Sequence, residues 1–128
     1  MHLSRDLHEG YLYFRSCAAD HVTVVDRAVT RSFLLAPDRL VEDWPPSAPE
    51  HIDANAIASV VALEPEVVLL GTGTSQVFPP AATRAAFLAR GIGLEVMDNA
   101  AACRTYNLLA GEGRRVIAAI LLPAAAIE

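Results

Sequence analysis

The fold of this chain is decided by the stretch Val67-Val68-Leu69-Leu70-Gly71-Thr72-Gly73-Thr74-Ser75. Its first four residues are all apolar, which predicts a central parallel strand that is covered on both faces. Glycines and hydroxyl residues follow at once, so we expect this strand to open into a tight polar turn. Turns at the carboxyl ends of strands are the places where open α/β sheets bind their ligands.

A helix and a second strand are predicted directly after this turn. Pro79-Pro80 favours the start of a helix, and Gly91 favours its end. In that helix we expect Phe87 and Leu88 to point inward. The short apolar run from Ile92 to Met97 then predicts the second strand.

A third helix and a third strand complete the pattern. Asp98 or Asn99 is a suitable N-cap for a helix that reaches about Ala110. The apolar run from Val116 to Leu122 has the length of a strand. The order from Val67 onward is therefore β-α-β-α-β, and right-handed crossovers make this a parallel sheet with helices on both faces.

The first 44 residues are rich in predicted strands. Tyr11 to Arg15 is a candidate first strand, and Leu40 to Trp44 is a candidate edge strand. Between them, the runs His21 to Val25 and Ala28 to Leu35, joined at Asp26-Arg27, predict a hairpin.

A proline-rich connection, residues 45–52, separates this β-rich part (1–44) from an αβ part (53–123). In the αβ part, Asp53 is a plausible N-cap for a helix from about Ala54 to Leu63. Neither part alone buries enough surface for comfortable stability, so we predict one α/β domain that spans residues 1–128.

The composition excludes several classes of function. The chain has 128 residues, a formal net charge of −5 and a pI of about 5.3. Nucleic-acid binding is not expected, because it needs a clustered basic surface. No apolar run reaches the ~20 residues of a membrane span. Met1 to Phe14 resembles neither a signal peptide nor a transit peptide, so a cytoplasmic location is expected.

The metal-binding residue types show no useful spacing. The four histidines are scattered, and Cys17 and Cys103 lie far apart in the sequence. Neither pattern matches a zinc site. We therefore expect no metal and no cofactor, and we expect the two cysteines to be free thiols.

Five stretches of the second half together carry a resemblance to a known family: Leu70-Gly71-Thr72-Gly73, Phe78-Pro79-Pro80, Gly91-Ile92-Gly93-Leu94-Glu95-Val96-Met97-Asp98, Ala101-Ala102-Cys103-Arg104-Thr105-Tyr106-Asn107-Leu108-Leu109 and Glu112-Gly113-Arg114-Arg115-Val116. With these motifs the chain resembles the domain of unknown function 498 family, which includes the mitochondrial complex I assembly factor 3 and an adipogenesis-associated cytosolic protein. The resemblance implies a three-layer α/β domain with a small antiparallel β layer against a mostly parallel sheet. It implies no known catalytic residues.

Two neighbouring loops supply the candidate ligand-binding residues. The loop Gly71 to Ser75 is either a backbone nest for an anion or only a tight turn. Asp98 is either a helix cap or a working carboxylate. Arg104 either binds a carboxylate or phosphate or pairs with Asp98. The full candidate set is Gly71, Thr72, Gly73, Asp98, Asn99, Arg104 and Asn107.

Two functions therefore remain open. The family resemblance favours a non-enzymatic assembly or accessory factor that acts through protein contacts. The alternative is a binder of, or an enzyme on, a small anionic ligand held between the Gly71 to Ser75 loop and the helix start at Asp98 to Asn107. The sequence identifies no ligand, no partner and no oligomeric state.

Overall fold

The computed structural model describes residues 10–123. A small sheet of three antiparallel strands lies first in the chain, in the order β1-β2-β3. It contains the predicted hairpin, in which β2 and β3 pair side by side. The bounds of these strands are β1 Phe14–Cys17, β2 Val22–Val24 and β3 Arg27–Val29.

The main sheet has five strands in the order β5-β4-β8-β6-β7. The β6 strand lies between β8 and β7 and is parallel to both, as predicted for a central strand. The β4 strand is antiparallel to both β5 and β8, so the sheet is mixed, and β4 alone runs against the direction of the other four strands. The bounds are β4 Phe33–Ala36, β5 Arg39–Val41, β6 Val67–Gly71, β7 Gly93–Met97 and β8 Val116–Ile120.

Three strand boundaries in the first half were predicted wrongly. The first strand does not begin at Tyr11. The Leu12 N–H donates to the Pro37 carbonyl, and the Leu12 carbonyl accepts from the Tyr106 hydroxyl, so neither group pairs with a neighbouring strand. The run Ala28 to Leu35 is not one strand but belongs to both sheets. Ser32 breaks it, since its hydroxyl accepts a hydrogen bond from the Leu122 N–H at 2.9 Å.

The edge strand β5 ends at Val41 instead of continuing to Trp44. Asp43 adopts a positive φ of 61°, which turns the chain out of the extended conformation. The Trp44 N–H then donates to the Ser32 carbonyl at 3.0 Å. The backbone of Trp44 is therefore bonded outside the strand ladder.

Three α-helices connect the strands of the second half: α1 Ala54–Val61, α2 Ala81–Leu88 and α3 Asn99–Gly111. Both predicted aspartate caps are confirmed. Asp53 accepts a hydrogen bond from the Ala56 N–H at 2.9 Å, and Asp98 accepts one from the Ala101 N–H at 2.8 Å.

The end of α2 was predicted in part. Gly91 has a φ of 73°, which is the left-handed conformation expected after a helix. Phe87 is buried, but Leu88 is 65% exposed, so the prediction that Leu88 points inward is wrong. Successive residues of a helix point about 100° apart, and α2 buries only a narrow face against β7.

The molecule has the three layers that the resemblance implies. The α3 helix and the small sheet cover one face of the main sheet, and α1 and α2 cover the other. Alternate residues of β6 enter the two cores: Leu69 packs with α3, whereas Val68 and Leu70 pack with α1 and α2. A strand between two cores has no polar face, which is why the apolar run predicted it.

Candidate functional site

A cleft lies at the carboxyl ends of β6 and β7, where the sequence predicts it. The cleft has a volume of about 240 Å³. Two of its walls come from the predicted loops, and the third comes from the end of β1, which sequence reasoning missed. The lining residues are Cys17, Ala18, Ala19, Gly73, Thr74, Asp98, Asn99 and Ala100.

A second cleft of about 290 Å³ adjoins the first and shares Cys17 and Ala100 with it. It runs between β1 and the exposed side of α3. Of the predicted site residues, Arg104 and Asn107 line this second cleft and not the first. Its lining residues are Phe14, Arg15, Ser16, Cys17, Ala100, Cys103, Arg104 and Asn107.

Asn99 fastens three elements together and is only 4% exposed. Its Oδ1 accepts a hydrogen bond from the Gly73 N–H at 3.0 Å, and its Nδ2 donates to the Leu121 carbonyl at 3.0 Å. Its backbone N–H donates to the Gly73 carbonyl at 2.8 Å. The amide thus joins the loop after β6, the start of α3 and the end of β8.

The loop after β6 holds its own polar groups in internal hydrogen bonds. The Thr72 hydroxyl donates to the Ser75 carbonyl at 2.7 Å and accepts from the Val77 N–H at 3.0 Å. Gly73 has a φ of 98°, a conformation that favours glycine. These bonds describe a tight turn, and they leave Thr72 little capacity to bind a ligand.

The Asn107 side chain forms hydrogen bonds with the edge strand β1 of the small sheet. Its Oδ1 accepts a hydrogen bond from the Phe14 N–H at 2.9 Å, and its Nδ2 donates to the Phe14 carbonyl at 2.8 Å. The side chain therefore replaces a neighbouring strand along β1. This arrangement fixes β1 beside α3 and uses both ends of the amide.

Arg104 differs from the other candidates because it is exposed and its guanidinium is unbonded within residues 10–123. The alternative pairing with Asp98 is wrong, since no ion pair in the described residues joins them. Arg15 is exposed and lines the same cleft as Arg104. Within residues 10–123 it likewise forms no ion pair. Sequence reasoning missed Arg15, because nothing in the sequence indicates that β1 lies beside α3.

Two buried groups near the clefts are held in their neutral forms. Burial raises the pKa of the Cys103 thiol, and the neighbouring Cys17 raises it further. Burial also raises the pKa of Tyr106, whose hydroxyl donates to the Leu12 carbonyl at 2.9 Å. Neither group has a pKa suited to proton transfer at neutral pH. Residues 10–123 contain no group of three potential metal ligands.

The structure thus defines a small three-layer α/β domain in which most polar side chains of the cleft hold the fold's own loops together. Residues 14–121 match the family described as "Protein of unknown function (DUF498/DUF598)". The chain belongs to this family, and the predicted resemblance is confirmed.

Two curated proteins are similar to this chain. The mouse (Mus musculus) protein named NADH dehydrogenase [ubiquinone] 1 alpha subcomplex assembly factor 3 is 32% identical over 116 residues, which are 88% of this chain and 61% of that protein. The Francisella tularensis "13 kDa major membrane protein" is 33% identical over 72 residues, which are 56% of this chain and 58% of that protein. The chain thus spans about three fifths of the length of each relative.

A solved structure shares the fold. An NMR structure of a protein from Xanthomonas campestris is 44% identical and superposes with a TM-score of 0.82, covering 91% of this chain and 89% of that one.

None of the helices within residues 10–123 combines the length and the apolar character needed to cross a bilayer.

Proposed function

We propose that this protein is an accessory or assembly factor that acts by binding another protein and not by catalysing a reaction. The observation that carries the proposal is an apolar patch formed by Val77, Phe78 and Leu88, which are 45%, 59% and 65% exposed. Large contiguous apolar patches mark interaction sites, whereas single exposed apolar residues are normal. The name of the mouse relative, an assembly factor, supports the same class of function.

Arg84 lies near both the loop part and the helix part of this surface. The Arg84 guanidinium lies 5.8 Å from the centre of the Phe78 ring. Leu88 follows Arg84 by four residues on α2 and so lies on the same helix face. Val77 and Phe78 belong to the loop that leaves β6.

This loop is held beside the edge of the main sheet. The Gln76 side chain donates to the Val96 carbonyl of β7 at 2.8 Å. Because β7 is an edge strand, that carbonyl would otherwise point away from the sheet without a strand partner. The bond helps to fix the loop, so its two exposed apolar side chains are presented from a defined position.

The surface suits a partner that offers apolar side chains and a carboxylate. Phe78 and Leu88 would enter the apolar part of such a surface, while Arg84 would pair with the carboxylate. A cation beside an aromatic ring at a centre of contact is a common source of binding energy.

The test compares proteins captured from a cell lysate by three versions of the chain. The Phe78→Ser/Leu88→Ser variant should lose a partner that the wild type retains. Leu108→Ser is the matched control, because Leu108 is 63% exposed but lies on α3, on the other side of the main sheet. Affinity for the purified partner is then measured, and we expect a loss of at least about tenfold in the double variant, or about 1.4 kcal/mol.

Equal capture and equal affinity in all three versions would exclude the patch as the binding surface. Circular dichroism and thermal unfolding establish that the substituted proteins are folded. Surface substitutions of this kind usually change the free energy of unfolding by less than about 0.5 kcal/mol.

A small anionic ligand is the second candidate, and the free guanidinium of Arg104 favours it. Thr72, Asn99 and Asn107 already use their side chains in internal bonds. A ligand would therefore be bound chiefly by Arg104 in the cleft beside α3. A thermal-shift screen with phosphates, nucleotides and small carboxylates tests this, because a ligand of the native state raises Tm.

Arg104→Ala should abolish such a shift, whereas Arg39→Ala should preserve it, because the exposed Arg39 lies on β5 away from both clefts. A panel without any shift would count against the anionic ligand and leave the protein partner as the sole candidate.

The proposal includes a cytoplasmic location. The free thiols of Cys17 and Cys103 are those expected in a reducing compartment. Cell fractionation with an antibody against the chain tests the location, and recovery of the protein in the membrane fraction alone would contradict it.

A further inference from the structure

We propose that Cys17 is a modification site for small anionic disulfides and that Cys103 resolves the adduct, closing a reversible disulfide between β1 and α3. The proposal goes beyond the proposed function and does not depend on it. It rests on the placement of two thiols and two arginines in one cleft.

The hydrogen bonds between Asn107 and Phe14 set the alignment of β1 with α3. From this anchor, β1 reaches Cys17 three residues later, and α3 reaches Cys103 one helical turn earlier. The strand and the helix thus run in opposite directions and bring both thiols to the same cleft of about 290 Å³. Cys17 packs against the core cluster that contains Cys103.

The two thiols differ in access to solvent, and this difference assigns their roles. Cys17 is half-buried, whereas Cys103 is only 5% exposed. The pKa of Cys103 is raised, first by burial and then by the neighbouring Cys17, so the Cys103 thiol stays protonated at neutral pH. Since the thiolate is the nucleophile, Cys17 reacts first and Cys103 acts only once a disulfide lies beside it.

The positive charge of the two arginines in the cleft favours reaction with an anionic disulfide. Arg15 and Arg104 line it, and in the part of the chain that the structure describes neither has an ion-pair partner. Two unneutralised guanidinium groups attract anions and raise their local concentration. Glutathione disulfide, a small disulfide with several carboxylates, has the required charge.

The exchange is balanced in two steps. The Cys17 thiolate attacks one sulfur of glutathione disulfide, forms a mixed disulfide and releases one glutathione thiolate. The Cys103 thiol then attacks the Cys17 sulfur and its proton passes to the departing glutathione, so the mixed bond breaks and the second glutathione leaves as a neutral thiol. Two electrons pass from the protein to the reagent, and excess reduced glutathione reverses both steps.

The first experiment follows the intact mass of the reduced full chain in glutathione disulfide. The wild type should end with an internal disulfide and a mass lower by two hydrogen atoms, and peptide mapping should link Cys17 to Cys103. Cys103→Ser should stop with one glutathione on Cys17, and Cys17→Ser should stay unmodified while folded. Cys103→Ala replaces the serine variant if a buried hydroxyl disturbs folding.

The second experiment compares glutathione disulfide with cystamine, a small disulfide that carries positive charge. Arg15→Gln/Arg104→Gln should slow the reaction with glutathione disulfide by about tenfold and should not slow the reaction with cystamine. Arg39→Gln, the matched control, should change neither rate.

Two results would overturn the proposal. A wild-type protein that stops at the glutathione adduct would show that Cys103 cannot reach the Cys17 sulfur. A double arginine variant that reacts with glutathione disulfide as fast as the wild type would show that the cleft does not select anions.

Discussion

The Asn99 carboxamide oxygen occupies the space in which a β-carbon on Gly71 would lie. Such an atom would also lie 2.9 Å from the Ile120 side chain and 3.3 Å from that of Ala102. We therefore expect Gly71→Ala to displace Asn99 and to lower the free energy of unfolding by about 1–3 kcal/mol, as overpacking of a core does. Urea unfolding measures the change.

Gly93→Ala is the matched control for this prediction. Gly93 also lies in the main sheet, but a β-carbon there would meet only the Val67 side chain, at 3.9 Å. That distance is an ordinary contact, so we expect the free energy of unfolding to stay the same or to rise by a few tenths of a kcal/mol. If both alanine variants lose stability equally, the explanation by Asn99 is wrong.

The second prediction concerns the edge of the small sheet. Asn107→Ala removes two hydrogen bonds from the Phe14 backbone, each worth about 0.5–1.5 kcal/mol. We expect the free energy of unfolding to fall by about 1–3 kcal/mol and the Phe14 amide to exchange its hydrogen faster. Urea unfolding and amide exchange followed by NMR test both effects.

Asn55→Ala gives the comparison for Asn107→Ala. Asn55 is exposed on α1, and alanine has the better helix propensity. This change should leave the stability unchanged or slightly higher, and it should not alter exchange at Phe14. Unchanged exchange at Phe14 in Asn107→Ala would contradict the role assigned to Asn107.

The sequence predicts the second half of the fold well, because its signals are local. Val67 to Leu70 is apolar at every position, and Asp53 and Asp98 each precede a helix that they cap. Such patterns depend on neighbours along the chain, so they can be read without knowing the tertiary structure.

The sequence predicts the first half and the cleft less well, because their causes are distant in the chain. The break at Ser32 depends on a hydrogen bond to Leu122, and the third wall of the cleft depends on Asn107 holding Phe14. Likewise, nothing local to Arg104 shows that Arg15 lies on the same cleft. Contacts between residues about 90 positions apart leave no local pattern.

The third prediction separates the two interpretations of Asp98. As a helix cap, its carboxylate oxygen is required only as an acceptor for the Ala101 N–H. Asp98→Ala should therefore lower the free energy of unfolding by about 1 kcal/mol, whereas Asp98→Asn, which keeps the oxygen, should change it by only a few tenths. Thermal unfolding of the three proteins measures the difference.

Asp53→Ala calibrates this result, since Asp53 caps α1 with the same geometry. Because both residues cap helices, we expect Asp98→Ala and Asp53→Ala to lower the free energy of unfolding by similar amounts. An Asp98→Asn variant that keeps its stability but loses binding of a ligand or partner would show that the charge of Asp98 has a use beyond capping.

The fourth prediction is a loss of stability in alkali. The pKa values of Cys103 and Tyr106 are raised above their ordinary values of 9.0 and 10.0. Above these ordinary values the unfolded chain loses the two protons while the native chain keeps them, so the free energy of unfolding falls as pH rises. The stabilisation is complete below about pH 9 and declines by about 1.4 kcal/mol per pH unit for each group.

Two variants show which of the two groups causes each part of this decline in stability. Cys103→Ala should remove the part that begins near pH 9, and Tyr106→Phe should remove the part that begins near pH 10, because each lacks the proton concerned. Both variants are less stable at neutral pH, since Cys103→Ala leaves a small cavity and Tyr106→Phe leaves the Leu12 carbonyl without its donor. The slopes against pH are therefore compared, and not the absolute values. Parallel slopes for the wild type and both variants between pH 8 and 11 would show that these two buried groups do not control the alkaline transition.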